Sequence, residues 1–294
     1  MPSLKEVRNR IESVKSTQQI TKAMKMVSAA KLRRATDAIV QLRPYSKKMS
    51  ELIATVSAST EGTIVNPYTE VRDVKKVLVI AVTSDRGLCG AFNANIGKTI
   101  ISLVAEKYQS QFEAGNVEVL AIGKKGGEYL GRRGYKINNE FVNTFSKLNF
   151  ATVRTAAESV MNGFVAEKYD VVELVYNEFK NAATQILRTD QLLPIVEKQD
   201  ETVKASNTDY IFEPSEEEII GELVPKALKL QVYKAVLDSN ASEHGARMTA
   251  MDKATENAGD LLKALKLQYN RSRQAAITNE ILEIVGGAEA LASA

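Results

Sequence analysis

The chain has 294 residues, of which 44% are hydrophobic and 26% charged, and its formal net charge is +3. These proportions are typical of a folded, water-soluble protein, and no apolar run approaches the roughly 20 residues that a membrane-spanning helix needs. A single cysteine excludes an intramolecular disulfide and indicates a reducing compartment. The N-terminus carries acidic residues and lacks the apolar stretch of a signal peptide, so we expect a cytoplasmic protein.

Basic side chains are concentrated at the N-terminus. Residues 1–50 hold 12 Lys and Arg against three Asp and Glu, whereas the rest of the chain holds 27 basic and 33 acidic side chains. Such a surplus is typical of a segment that meets a polyanion: nucleic acid, anionic lipid or an acidic protein surface. The alternative is an ordinary solvated helix surface, and composition does not separate the two.

Residues 1–60 have the pattern of one long helix. Ser3 and Glu6 form a capping box at its start. Apolar residues then recur at alternating spacings of three and four, the period of a left-handed coiled coil. The stripe comprises Leu4, Val7, Ile11, Val14, Leu32, Ala35, Ile39, Leu42, Met49, Ile53 and Val56. It is interrupted by the polar positions Gln18, Thr21, Lys25 and Ser28. Pro44 predicts a kink, because proline lacks an N–H and crowds the preceding turn.

A stretch after the first apolar run contains Gly97-Lys98-Thr99, the ending of a phosphate-binding loop. That loop requires a glycine five residues before Gly97, where a phenylalanine stands, so the ring of N–H groups around a phosphate cannot form. We therefore expect no nucleotide site there and predict that the triplet lies on a helix surface.

Residues 72–212 alternate strand and helix patterns and predict an α/β domain with a mostly parallel sheet. Strands are expected at 75–83, 117–122, about Tyr135, 170–179 and 184–196, and helices at 93–112, 126–132 and 151–168. The connection between the last two strands is too short for a helical crossover, which predicts an antiparallel edge pair. Residues 197–207 are polar and read as a loop.

Residues 213–294 repeat the long-helix pattern, and we expect a helix over about 215–286. Ser215 and Glu218 form a second capping signal, Pro225 predicts a bend or a restart, and Gly286-Gly287 predicts the stop. The apolar stripe of this helix comprises Leu237, Ala241, His244, Met248, Met251, Thr255, Ala258, Leu262, Leu265 and Tyr269.

Two stripes of matching period at opposite ends of one chain predict an antiparallel coiled coil. If Val56 lies beside Ser215, paired positions sum to about 271, to within a helical turn. The polar gap of the first stripe then faces residues 243–253, and residues past about 268 extend alone.

Four stretches give the chain a resemblance to a known family. They are "ITKAMKMVSAAKLRRA" at 20–35, "DRGLCGAFN" at 85–93, "SEHGARMTAMDKATENA" at 242–258 and "YNRSRQAAITNEILEIVGGAEAL" at 269–291. Together they resemble the gamma subunit of bacterial-type F-type ATP synthases, and the resemblance covers almost the whole chain.

The resemblance implies a fold and a role. The fold is a long antiparallel coiled coil of the terminal helices with an inserted Rossmann-like α/β domain. The role is that of a rotor stalk with no catalytic activity and no cofactor. The stalk turns inside a hexamer of alpha and beta subunits, and its α/β foot meets the epsilon subunit and the membrane c-ring. Rotation couples proton flow to ATP synthesis and hydrolysis and regulates both, at the cytoplasmic face of the bacterial inner membrane. The membrane is reached only through these partners.

The resemblance also implies which residues meet the hexamer. They are Lys22, Met24, Lys25, Arg273, Gln274, Thr278 and Glu283. Helical offsets place Gln274 and Thr278 on one face, with Arg273 beside them.

The remaining candidates predict no enzyme. One histidine, His244, and one cysteine, Cys89, cannot supply a metal quartet of these two types. We expect His244 to be structural and Cys89 to pack as a small apolar side chain in the turn after the first strand.

A nucleic-acid-binding coiled coil that uses the basic arm is the alternative function. It predicts tight, salt-sensitive binding to DNA or RNA. The arm from Ser3 to Lys31 contains no aromatic residue that could stack on bases, which weakens this alternative.

Overall fold

The computed structural model describes residues 3–59, 66–195 and 216–292. Two compact units make up the chain: a helical unit of Met1–Val27 with Met248–Ala294, and a sheet unit of Ser28–Arg247. The predicted loop at 197–207 and the capping signal at Ser215 lie outside the described residues. The division into residues 1–60, 72–212 and 213–294 stays a prediction.

Two long helices enclose, in sequence, a set of strands and shorter helices. The helices are α1 (Leu4–Ser59), α2 (Phe92–Lys107), α3 (Gln109–Glu113), α4 (Lys124–Gly131), α5 (Phe150–Val165) and α6 (Glu216–Ala292). The strands are β1 (Val77–Val82), β2 (Val117–Ile122), β3 (Lys136–Asn138), β4 (Val171–Phe179) and β5 (Gln185–Leu193), and a 3-10 turn spans Thr144–Lys147. The fold class predicted from the sequence is confirmed.

Helix α1 begins as predicted, but α6 does not stop as predicted. The Glu6 N–H donates to the Ser3 hydroxyl at 3.3 Å, which caps α1. Helix α6 continues through Pro225 and through Gly286-Gly287 to Ala292, so the restart and the glycine stop are wrong. Val224 and Leu228, on either side of the proline, are both packed in one core. Each glycine costs a helix interior only about 1 kcal/mol relative to alanine, so a glycine pair does not by itself force a helix to end.

In the helical unit, α1 and α6 run antiparallel. Gln18 Nε2 donates to Thr255 O at 3.4 Å, the Thr255 hydroxyl donates to the Thr21 hydroxyl at 2.8 Å, and Lys25 Nζ lies 2.5 Å from Asp252 Oδ1. These pairs sum to 273–277, which exceeds the predicted sum of 271 by two to six residues, against the one helical turn that the prediction allowed. The polar positions of α1 that precede Ser28 therefore face residues 252–259 rather than 243–253.

The apolar stripes pack as the heptad pattern predicts. Val7 of α1 and Met251, Ala258 and Leu265 of α6 are buried in the helical unit. At Gln18, Thr21 and Lys25 the contact between the helices is polar instead, because those side chains continue the stripe without apolar groups.

The sheet unit contains one sheet of five strands in the order β3-β2-β1-β4-β5. Strands β1 to β4 are parallel and β5 pairs antiparallel with β4, which confirms the predicted edge pair. One face of the sheet is covered by α2 and α4. The other is covered by α5 and by residues 224–236 of α6, so a distant helix completes the domain.

The predicted helix at 93–112 is broken at Tyr108, which separates α2 from α3. Tyr108 leaves helical geometry with φ −132° and ψ 27°. Its hydroxyl donates to the buried Glu173 carboxylate of β4 at 2.8 Å. The buried carboxylate needs a donor, and Tyr108 supplies one at the point where the helix breaks.

The Gly97-Lys98-Thr99 triplet lies inside α2, and only part of it is helix surface. Lys98 is exposed, but Gly97 is buried beneath the ring of Tyr129 of α4. A Cβ at Gly97 would lie 2.3 Å from Tyr129 Cδ1, far inside van der Waals contact. The glycine is therefore required by helix packing, and phosphate binding is not needed to explain it.

We expect Gly97→Ala to destabilise the chain by about 1–2 kcal/mol, since the overpacking cost exceeds the helix-propensity gain of alanine. Lys98→Ala should stay within about 0.5 kcal/mol of wild type, because its side chain is exposed. Urea unfolding of the full chain measures both. Adding Tyr129→Ala to Gly97→Ala should recover part of the loss, and a Gly97→Ala chain as stable as wild type would contradict the packing argument.

Candidate functional site

The carboxyl ends of the parallel strands are where α/β folds place ligands, most often where the strand order reverses. In this sheet that point lies between β1 and β4. Helix α6 crosses it: the Ser239 hydroxyl donates to Val82 O at 3.2 Å and the Ser242 hydroxyl donates to Asn177 O at 3.1 Å. The chain's own helix thus fills the position that a ligand takes in related folds.

The N-terminus of α4 is a second position where such folds bind anions, because its first N–H groups point outward. Here the Gly126 N–H donates to the Thr83 hydroxyl at 2.9 Å, and the Lys124 N–H donates to Asp85 Oδ1 at 3.3 Å. Two oxygen atoms from the end of β1 therefore occupy the place of a phosphate.

The loop at 84–90 connects β1 to α2 and is held by its own side chains. The Ser84 hydroxyl donates to Arg86 O at 2.7 Å, and Asn93 Nδ2 donates to Ser84 Oγ at 2.7 Å. Cys89 is buried next to Asn93 in this loop, and burial raises the pKa of its thiol. The cysteine packs in the turn after the first strand, as predicted. Leu88 has a positive φ of 62° and a 63% exposed side chain.

Arg247 fastens this loop to α6. Its guanidinium donates to Arg86 O at 2.9 Å, to Gly87 O at 3.3 Å and to Glu243 Oε1 at 2.6 Å. Both charged side chains are buried. Burial raises the pKa of Glu243, and the charge of Arg247 opposes that shift. A forked, charged donor can hold two carbonyls and a carboxylate at once.

His244 neighbours this cluster and stays neutral near neutral pH. Burial above all, together with the charges of Arg247 and Lys31, lowers its pKa to about 4. The histidine is therefore not a physiological pH switch in this structure.

Three of the residues expected to meet the hexamer lie on α1 in the helical unit. Lys22 is exposed, Met24 is half-buried, and Lys25 is half-buried and paired with Asp252. They belong to the polar stretch of the stripe that also contains the Thr21–Thr255 contact.

The other four, Arg273, Gln274, Thr278 and Glu283, are all exposed on α6. The Thr278 hydroxyl donates to Gln274 O at 2.9 Å, so these two residues share a face as predicted. The chain brings the two groups of residues to different levels of the helical unit rather than to one site. The roles of all seven stay predictions.

Sequence reasoning missed Ser239, Ser242 and Arg247 as the groups that hold the strand ends and the loop. A partial signal was available in the spacing, since Ser239 and Ser242 are three residues apart, and Glu243 and Arg247 four apart, so that each pair shares a helix face.

Within the described ranges, the side chains form no group of three or more His, Cys, Asp or Glu that could hold a metal ion. Of the helices that the structure describes, none is long and apolar enough to cross a bilayer.

Comparison with known proteins identifies the family. A family model described as ATP synthase matches residues 3–291. The ATP synthase gamma chain of Cytophaga hutchinsonii is 62% identical over 293 residues and that of Flavobacterium johnsoniae 56% over 292, each covering 99% of both chains. The chain belongs to the ATP synthase gamma chain family.

Solved structures agree with the family. The central stalk and c-ring structure of the Tetrahymena thermophila mitochondrial ATP synthase contains a chain 27% identical to this gamma chain, with a TM-score of 0.56. The match covers 80% of this chain and 99% of that one. A Euglena gracilis mitochondrial ATP synthase structure matches at 23% identity with a TM-score of 0.63, covering 98% and 94%, which supports the fold. This chain therefore functions as a central-stalk subunit of ATP synthase. The comparisons give no support to nucleic-acid binding.

We expect Arg247→Ala to destabilise the gamma chain by about 3–5 kcal/mol, because it leaves the buried Glu243 carboxylate unpaired and frees the loop at 84–90. Lys263→Ala, which breaks an ion pair whose side chains are 83% and 69% exposed, is the control and should cost under about 1 kcal/mol. Chemical unfolding followed by circular dichroism gives both values. Equal effects of the two substitutions would show that the loop does not depend on Arg247.

Proposed function

We propose that the chain is the non-catalytic rotor of a bacterial proton-translocating ATP synthase. It turns within the hexamer of alpha and beta subunits, and its sheet unit contacts the epsilon subunit and the c-ring. Rotation couples proton flow to ATP synthesis and hydrolysis and regulates both. The rotor lies at the cytoplasmic face of the inner membrane and reaches the membrane only through its partners. Full-length similarity to bacterial gamma chains supports this proposal.

An exposed apolar stripe at the end of α6 is the observation that carries it. Ile277, Ile281 and Ile284 are 46%, 54% and 71% exposed. Each would gain about 1.5–3 kcal/mol on full burial, and a soluble protein rarely exposes such a row unless another surface covers it. A bearing inside a ring of subunits fits these side chains, since they can be buried without polar contacts that would resist turning.

The predicted contact residues fit the same role. Arg273, Gln274, Thr278 and Glu283 lie on the segment that carries the stripe and are free to meet surrounding subunits. Lys22, Met24 and Lys25 lie where α1 and α6 pair through small or polar groups. We propose that these three contact loops of the beta subunits, with bonds weak enough to break at every rotary step.

The way the sheet unit is filled supports the proposed lack of catalytic activity. Ser239 and Ser242 occupy the switch point of the sheet, while Thr83 and Asp85 occupy the N-terminus of α4. These groups take the two places where a nucleotide would be held, so the proposal assigns ATP chemistry to the partner subunits.

Two truncations of α6 test the bearing. Removing residues from Gly286 onward should leave coupled ATP synthesis measurable, because the stripe is retained. Removing residues from Tyr269 onward should weaken assembly and torque, because it deletes the stripe together with Arg273 and Gln274. ATP synthesis in membrane vesicles and rotation of single complexes are the measurements. Full assembly and wild-type synthesis in the longer truncation would refute the bearing.

Met24→Lys tests the contact near the N-terminus. The substitution should add a charged hydrogen bond to an acidic partner loop, worth roughly 1.5–3 kcal/mol, and slow one rotary step about ten- to a hundredfold if that bond is lost at the barrier. The expected signature is weaker coupling of ATP turnover to proton pumping and a higher activation energy. Ser16→Lys, which adds the same charge at an exposed position of α1, is the control. Normal coupling in the Met24→Lys vesicles would count against the contact.

A further inference from the structure

Three buried polar side-chain atoms lack a hydrogen-bonding partner among the described residues, and one of them is Nε of Arg72. The other two are Oδ1 of Asp238 on α6 and Nδ2 of Asn177 on β4. The residues are 1% and 5% exposed. One atom is an acceptor and the other a donor, and a buried group of either kind is costly when unsatisfied.

Both side chains belong to the same junction between α6 and the end of β4. The main-chain N–H of Phe179 donates to the Asp238 carboxyl, and the Ser242 hydroxyl donates to Asn177 O at 3.1 Å. Asp238 and Ser242 are one helical turn apart, and Asn177 and Phe179 are two residues apart on a strand. Helix α1 joins the junction, since Arg43 Nη2 donates to Phe179 O at 3.3 Å.

Titratable groups from each of these elements, most of them charged, face Asp238. Those that face it are Arg43 from α1, Lys234 from α6, and Tyr176 and Glu178 from β4. Arg188 of β5 is bonded to Glu178 at 2.7 Å, and Asp190 of β5 accepts from the Tyr176 hydroxyl at 3.1 Å. Burial raises the pKa of Asp238 to about 6, against the opposing effects of Lys234, Arg43 and the Phe179 N–H. The carboxyl thus changes charge in a mildly acidic range although it is enclosed.

We propose that Asp238 and Asn177 form a buried binding site for one water molecule and, at Asp238, one exchangeable proton. The water accepts from Asn177 Nδ2 and donates to Asp238 Oδ1, which satisfies both atoms. Such bridging is what buried waters do in folded proteins. When a proton from solvent binds the carboxylate, the new O–H donates to the same water and the buried charge disappears. Proton uptake therefore tightens the junction of α1, β4 and α6.

The pH dependence of stability is the first test. The pKa of Asp238 in the folded chain, about 6, lies above the value near 3.9 of an unfolded chain. The stability contributed by the neutral carboxyl is therefore complete below pH about 4 and lost as the pH rises through 6.

The comparison is between the full wild-type chain and Asp238→Asn, unfolded in urea between pH 4 and pH 8. Relative to Asp238→Asn, the unfolding constant of wild type should rise about a hundredfold across this range. Taking the ratio removes the contribution of His244, whose lowered pKa of about 4 acts in the opposite direction and is common to both chains. Asp37→Asn, a change at an exposed carboxyl of α1, is the control and should follow wild type at every pH.

The second test concerns Asn177 and the water. Asn177→Ala removes the donor to the water, so the midpoint of the pH dependence should move to higher pH. A high-resolution map of the assembled complex should show density within hydrogen-bond distance of Asp238 Oδ1 and Asn177 Nδ2. Parallel pH curves for wild type and Asp238→Asn, or an Asp238→Asn chain less stable than wild type at pH 7.5, would overturn the proton site. Direct contact between the two side chains in the map would overturn the water.

Discussion

Hydrogen bonds from α6 to main-chain carbonyls at the open end of the sheet hold the sheet unit together. Ser239 and Ser242 satisfy the carbonyls of Val82 and Asn177, and Arg247 satisfies two carbonyls of the loop that follows β1. Carbonyls at the carboxyl ends of parallel strands need water, a ligand or another part of the chain as donor. This chain supplies its own helix α6 as the donor, at the position where related folds hold a ligand.

Much of the architecture could be predicted because the spacing of apolar residues along the sequence indicates which face of a helix or strand is buried. Strand β1 is buried on both faces and reads as an unbroken apolar run. The heptad stripes of α1 and α6 could be recognised in the sequence for the same reason. The spacing of Gly97-Lys98-Thr99 differs from that of a phosphate loop, and the triplet lies within α2 as predicted, although the packing of Tyr129 on Gly97 required the structure.

Three features could not be predicted from the sequence: the exact register between α1 and α6, the break between α2 and α3, and the bonds from Arg247 to the loop at 84–90. A heptad pattern is nearly unchanged when one helix slides by a turn, so the apolar stripe cannot fix which residues pair. Polar contacts such as Thr21 with Thr255 distinguish the registers. Tyr108, at the break between α2 and α3, donates a hydrogen bond to a carboxylate 65 residues away. Arg247 donates to carbonyls 160 and 161 residues away. Local periodicity carries no information about such distant partners.

The contribution of α6 to the core has a consequence for biosynthesis. Leu228, Val232 and Val236 cover a face of the sheet whose last strand ends at Leu193. During translation at roughly 5–20 residues per second, that apolar face stays uncovered for seconds after the strands have left the ribosome. Folding of the sheet unit is therefore tied to late, long-range contacts, which are slow to form. We expect the nascent chain to need protection from aggregation over this interval, when all five strands have been made but α6 has not yet covered the apolar face of the sheet.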